Sequence, residues 1–193
     1  MEYTFEPMAQ EHRREVIDIF NHYIEKSFAA YPGRPVDYAV YDHFLSLSRS
    51  YPALAVKSGD GKTVGFAFLH PYHPADSFRK TAMATYFIHP GHTGRDIGTK
   101  ILNILLKKAH ECGIEQVLVN ISSLNPGSIG FHLKNGFREC GRFEDIGRFL
   151  VPEFPRQAVG LEQPAHFLAA VSVGQEFDRT EKVFTNPSNK LTE

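Results

Sequence analysis

The 193-residue chain is expected to form one mixed α/β domain, on three observations. Apolar residues recur at helical spacing between Glu11 and Glu25, two strand patterns then meet at an Asp-Gly turn, and a series of strand, glycine turn, helix, strand, helix and strand follows. A chain of this length can enclose one substantial core without disulfides or metals.

In the first helix Val16, Ile19, Phe20, Tyr23 and Ile24 share a face. After the turn-rich Tyr31-Pro32-Gly33-Arg34-Pro35, a shorter helix starts near Asp37 and runs through Phe44 and Leu45. Strands Ala53–Val56 and Thr63–Leu69 flank Gly59-Asp60-Gly61-Lys62, so they should pair antiparallel. A loop from His70 to Lys80 leads to a third strand, Thr81–Ile88, which the Pro90-Gly91 break ends. Asp96 then caps a helix whose Ile97, Ile101, Ile104, Leu105 and Ala109 share a face, and Cys112-Gly113 closes it. Val117–Ile121 reads as a buried strand, Asn125 to Asn135 as a short helix ended by Gly136, and Phe137 opens another strand. After the prolines at 152, 155 and 164, Phe167–Val173 has the composition of a strand, and the polar tail Phe184–Glu193 is expected to be disordered.

Composition narrows the function. Lys+Arg 21 against Asp+Glu 22 gives no basic face for a phosphate backbone, so nucleic acid is a poor partner. Apolar runs fall far short of the roughly 20 residues that span a bilayer, and Met1 to Gln10 lacks the pattern of an export signal. Cys112 and Cys140 form no CxxC pair; a reducing cytoplasm suits them. The pairs His70-x-x-His73 and His89-x-x-His92 resemble metal-ligand spacing, but they bracket an extended strand and stand too far apart to share an ion, so no metal is assigned.

The chemistry concentrates after the third strand. The segment His92-Thr93-Gly94-Arg95-Asp96-Ile97-Gly98-Thr99, placed between a strand and a helix, presents main-chain N–H groups and a helix's positive end to an anion. Gly98-Thr99-Lys100 reverses the ending of a Walker A loop, and no G-x-G-x-x-G occurs. Beyond it stands Asn125-Pro126-Gly127-Ser128-Ile129-Gly130-Phe131-His132-Leu133-Lys134-Asn135-Gly136-Phe137. Together the two segments resemble the GNAT superfamily of N-acetyltransferases. With Ile19-Phe20-Asn21-His22, Val64-Gly65-Phe66-Ala67 and His89-Pro90 added, the chain is similar to the phosphinothricin and methionine-sulfoximine acetyltransferases over about residues 3 to 149.

The resemblance implies a GNAT fold, a mixed and mostly antiparallel sheet flanked by helices, with the domain at residues 1–150. Residues 151–193 are then a divergent extension, whose strand at 166–173 either completes the sheet or packs in a homodimer interface. It also implies transfer of acetyl from acetyl-CoA to a small-molecule amine, an amino-acid analogue, in a cytoplasmic enzyme. Main-chain groups of Phe87 and Ile88, next to His89, would bond the pantetheine arm, and N–H groups from Thr93 through Gly94, Arg95, Asp96, Ile97 and Gly98 to Thr99 would hold the diphosphate. Asn125 and Ser128 would contact the cofactor, and His132 would protonate the departing thiolate.

The chain departs from the pattern at four positions. Thr93 and Asp96 replace the first residue and the inner glycine of the family's Q/R-x-x-G-x-G/A turn, and the Asp96 carboxylate repels phosphate. Met83 stands where relatives carry a glutamate base, and His73 where they carry an arginine that recognises the substrate's acid group. An amine must lose a proton before it attacks, so His73, or a water held by Tyr31, Tyr72 or Thr85, is the expected replacement. Loss of the glutamate also admits an alternative, an impaired acyl-CoA-binding sensor or regulator.

Overall fold

The computed structural model describes residues 2–149 and 163–173. Its strands are β1 (Tyr3–Pro7), β2 (Ala53–Ser58), β3 (Thr63–Pro71), β4 (Thr81–Ile88), β5 (Gln116–Ser122), β6 (Arg138–Phe149) and β7 (Gln163–Val173). Its α-helices are α1 (Arg13–Lys26), α2 (Val40–Leu47), α3 (Ile97–Glu111) and α4 (Pro126–Lys134). The strands form one sheet in the order β1-β2-β3-β4-β5-β7-β6. Neighbours are antiparallel except β4 and β5, which run parallel. This is the mixed, mostly antiparallel α/β architecture expected from the sequence.

Alternation along the central strands decides which helix covers which face. On β3, Phe66 and Phe68 point to one side, where they pack with Val16, Phe20 and Phe44 of α1 and α2. Ala67 and Leu69 point to the other, against Ile97, Ile101 and Leu105 of α3. Such side chains each contribute about 2 kcal/mol when fully buried. Ring contacts of 5.2 Å between Phe44 and Phe68 and 5.3 Å between Phe20 and Phe87 lock the first of these layers to the sheet.

Three local departures from the sequence reading have physical causes. Helix α2 begins at Val40 because the chain from Asp37 first takes tighter i→i+3 turns, with Val40 N–H on the Asp37 carbonyl at 3.0 Å and Ala39 N–H on the Asp37 carboxylate at 2.8 Å. Strand β3 runs past Leu69 to Pro71, since His70 pairs with Met83 and Pro71 with Ala82. Asp96 occupies the cap position of α3, but its side chain caps nothing: the residue is left-handed, with φ 63°. Pro164 lies in β7 opposite Arg148, whereas Pro152, Pro155 and the tail Phe184–Glu193 lie outside the described residues.

One feature of the topology makes room for a ligand. Strands β4 and β5 pair only over Thr81–Met83 and Gln116–Leu118. Beyond that, β4 stays with β3 as far as Ile88, and β5 stays with β7 as far as Ser122, so the two halves of the sheet part like a wedge. The connection from α1 to α2 lies over this wedge. It is held by Asn21, whose amide accepts the Val36 N–H at 2.8 Å and donates to the Val36 carbonyl at 3.0 Å.

Replacing Asn21 with Ala should cost about 1–3 kcal/mol by stranding both Val36 groups. A fall in melting temperature of roughly 2–4 °C per kcal/mol is expected; an unchanged melting curve would show that Asn21 does not hold the connection.

Candidate active site

The wedge opens into a cavity of about 1100 Å³ that reaches both faces of the sheet. Hydrogen-bond parity decides which main-chain groups face it. The Thr81 carbonyl accepts from Tyr72 N–H at 3.3 Å, and His89 N–H donates to the Val64 carbonyl at 2.7 Å. Odd-numbered residues of β4, Phe87 included, therefore turn their main chain toward β3. Ala84, Tyr86 and Ile88 turn theirs toward the wedge. Beyond Met83 no strand stands opposite them, and the Ile88 carbonyl is taken by the Tyr23 hydroxyl at 2.7 Å. The edge open to a ligand is thus built by Tyr86 and Ile88. Phe87, expected from sequence to supply it, is committed to Phe66.

The second set of open donors lies at the start of α3. The first bond of the helix runs from Lys100 N–H to the Asp96 carbonyl at 3.2 Å, which leaves the N–H groups of Ile97, Gly98 and Thr99 without an intrahelical acceptor. Among the described residues no side chain caps them. Gly94, with φ 70°, and left-handed Asp96 bend the chain so that Thr93, Gly94, Asp96, Gly98 and Thr99 border the cavity. Gly98 leaves little room: a Cβ there would stand 3.0 Å from the Phe131 ring, which would have to shift. The Ile97 side chain is buried in the core, so only its N–H is on offer. Arg95 and His89 are not part of the cavity wall; Arg95 donates to the Tyr3 hydroxyl at 3.4 Å, and His89 Nδ1 accepts the Gly91 N–H at 3.2 Å.

Across the wedge, the Asn125 side chain caps α4 by accepting the Ser128 N–H at 3.1 Å, and both residues line the cavity. His132, one turn on, is 4% exposed. Its Nδ1 lies 2.7 Å from the Ser128 carbonyl and must donate to it. The neutral ring then presents a lone pair at Nε2, which accepts from the Tyr86 hydroxyl at 2.7 Å. Burial lowers the His132 pKa against a smaller opposing effect of the Ser128 carbonyl, and burial raises that of Tyr86, so both are neutral at pH 7. With both ring nitrogens engaged, any proton exchanged between His132 and a ligand passes through the Tyr86 hydroxyl.

The remaining candidates divide. Tyr31, Met83 and Thr85 line the cavity, with the Tyr31 hydroxyl donating to the Asn120 carbonyl of β5 at 2.6 Å. Tyr72 and His73 do not line it. Both lie against Phe78, at 5.5 and 4.9 Å between ring centroids, and His73 Nδ1 accepts the Ala75 N–H. His70 and His43, absent from the sequence expectations for catalysis, take part in the wall instead. Tyr86 was legible only as an alternate position on a strand. Among the described residues, the group with metal-ligand spacing is Glu6, Glu11 and His12, far from the wedge along β1; Glu6 is already paired with Lys57 and His12 there.

A model of the acetyltransferase (GNAT) family matches residues 16–137. The chain belongs to the acetyltransferase (GNAT) family. This GNAT chain is 30% identical over 136 residues to the L-methionine sulfoximine/L-methionine sulfone acetyltransferase of Salmonella typhimurium, covering 68% of this chain and 78% of that one. It is 24% identical to the phosphinothricin N-acetyltransferase of Streptomyces coelicolor, over 74% of this chain and 85% of the relative. In fold it is similar to a GNAT phosphinothricin acetyltransferase from Sinorhizobium meliloti solved with acetyl-CoA, with a TM-score of 0.79, 19% identity, and coverage of 95% and 96% of the two chains.

The buried neutral His132 has a consequence for stability. Because its folded pKa lies below the unfolded value of 6.5, the unfolded state binds more protons as acid is added. The contribution is complete above about pH 6.5 and is lost as pH falls through the depressed folded value. Melting temperature should therefore fall between pH 7.5 and 5.5, and His132→Gln should flatten that fall; equal slopes for both proteins would contradict the burial of a neutral ring.

Proposed function

We propose that this protein transfers acetyl from acetyl-CoA to the primary amine of a small molecule, an amino-acid analogue, by direct attack in a ternary complex. The observation that carries this reading is that two sets of unpaired main-chain donors, on the wedge edge of β4 and in the first turn of α3, face one cavity. It matches the chemistry of one ligand: an amide-bearing arm ending in a diphosphate. The arm's amides pair with Tyr86 and Ile88 as a short surrogate strand. The diphosphate takes the N–H groups of Ile97, Gly98 and Thr99, where the helix end favours negative charge.

The thioester then lies deeper in the wedge, where the Tyr86 N–H is available to its carbonyl oxygen as charge develops there. The amine lone pair attacks the carbonyl carbon and a C–N bond forms. As the C–S bond breaks, the Tyr86 hydroxyl turns its one proton from His132 Nε2 to the sulfur and gives it up there, and the proton shed by the amine nitrogen restores the hydroxyl and its bond to Nε2. Met83, where the family resemblance implies a glutamate base, gives none. The impaired-sensor alternative has no observation in its favour beyond that residue. The names of the relatives support an amino-acid analogue as acceptor, and a cytoplasmic homodimer belongs to the same proposal.

Thiol release from acetyl-CoA, followed with a panel of amines, tests the reading. Amine-dependent release is expected, with Tyr86→Phe lowering kcat about 10²-fold or more at unchanged coenzyme A affinity. Release at background with every amine would refute it.

Asp96 is expected to weaken the diphosphate site by its charge. Asp96→Gly keeps the left-handed bend, which glycine adopts freely, and should tighten coenzyme A binding by about threefold or more at low salt. Weaker calorimetric binding by the variant would show instead that the carboxylate assists.

A further inference from the structure

Resting on the acetyl-transfer reading above, the acceptor's half of the cavity can be read in more detail. Alternation on β4 sends Ala84, Tyr86 and Ile88 toward α3 and α4, the side on which the diphosphate donors lie. Phe87 points the opposite way, into the layer under α1 and α2, and by the same alternation so do Thr85 and Met83. An arm laid along the β4 edge thus brings its thioester to the wedge from one face. The other face, under α1 and α2, is left for the nucleophile.

That second chamber is walled by Phe20, Tyr31, Phe44, Leu47, Phe68 and Met83. Among the described residues lining the whole cavity, the carboxylate, lysine and arginine side chains are those of Asp96 and Lys134, at the start of α3 and the end of α4. Neither belongs to the α1 and α2 side. An acceptor carboxylate would be stripped of water there with no described lysine or arginine to pair with, a costly transfer. Aromatic faces, by contrast, favour apolar groups and tolerate an ammonium.

The same chamber holds a proton acceptor that a reading of the strand ending at Leu69 conceals. His70 is the register partner of Met83 on the neighbouring strand. Hydrogen-bonded partners place their Cβ atoms about 5.5 Å apart on one face, so the imidazole stands beside Met83 on the chamber wall. Its ring lies 5.9 Å from that of Phe68. Nδ1 is 3.2 Å from the Pro71 carbonyl, so in the neutral tautomer Nδ1–H donates there and Nε2 keeps its lone pair.

We propose that the chamber under α1 and α2 receives a primary amine with an apolar flank and no free carboxylate, such as an arylalkylamine or an apolar amino-acid amide, and that His70 Nε2 takes the proton this amine must lose. The ammonium gives one proton to Nε2, the freed lone pair attacks the thioester carbon, and the imidazolium returns its proton to solvent after the amide departs. Burial, with His43 on α2 adding a smaller effect in the same direction and the Pro71 carbonyl opposing, lowers the His70 pKa, so the ring starts neutral at pH 7. His43 is the titratable side chain facing it from α2, and Met83, Thr85 and Phe68 face it without charge.

Steady-state kinetics with acetyl-CoA and matched amines test this. For 2-phenylethylamine and phenylalaninamide, kcat/KM should exceed that for phenylalanine and methionine sulfone by at least tenfold. His70→Gln should lower kcat for the preferred amines by about 10²-fold, abolish the acid limb of the kcat/KM profile, and leave coenzyme A affinity unchanged. Equal or better turnover of the carboxylate-bearing amines by wild-type protein, a readout that needs no variant, would overturn the proposal. So would a His70→Gln protein that keeps its rate and its acid limb. Silence with every amine, while acetyl-CoA still binds, would remove the transferase reading and this proposal together, an outcome distinct from the other two.

Discussion

The constraint on which the rest depends is a shortage of main-chain partners at one place in the sheet. Two strands run parallel for three residue pairs and then part, and at the mouth of the opening a helix starts with no described side chain to cap it. Unpaired donors are costly wherever water is excluded, so a fold that keeps a row of them is shaped around something that satisfies them. The left-handed bend at Gly94 and Asp96 and the close approach of Phe131 to Gly98 serve the same end. They let a bulky anion come up to the backbone.

Packing on the two faces explains why the opening persists. The aromatic layer under α1 and α2 grips β3 and β4, whereas α4 and the inserted strand β7 grip β5. Each strand is bound more firmly to its own half of the sheet than to the other. Tyr86 and His132 meet across the gap through one hydrogen bond of 2.7 Å. That bond belongs to the chemistry as well as to the architecture, since it occupies the ring nitrogen that a ligand would otherwise reach.

Much of this was legible in the sequence, and the misses share a cause. Strand β4 falls where its period-two pattern put it, Thr81 to Ile88, and the glycine turn and the Asn125–Gly136 helix stand where their punctuation put them. What sequence could not supply was pairing. The sequence places Pro71 in a loop, yet it closes β3, its missing N–H falling on the β2 side beyond the bond from Leu69 N–H to the Pro52 carbonyl. That two-residue extension turns His70 from a loop residue into part of the cavity wall. His73, three positions on, lies against Phe78 outside the cavity. Likewise, which of Tyr86, Phe87 and Ile88 offers its main chain follows from hydrogen-bond parity with β3, a property of two strands that neither pattern contains alone. Asp96 looked like a helix cap because aspartate is a good one; its backbone conformation rather than its side chain is what the turn uses.

The most direct measurement is amide NMR of the isotope-labelled protein titrated with coenzyme A. The account predicts that the amide protons of Ile97, Gly98 and Thr99, together with those of Tyr86 and Ile88, shift and become protected from exchange as the ligand binds. Saturation with those five amides unmoved would contradict it.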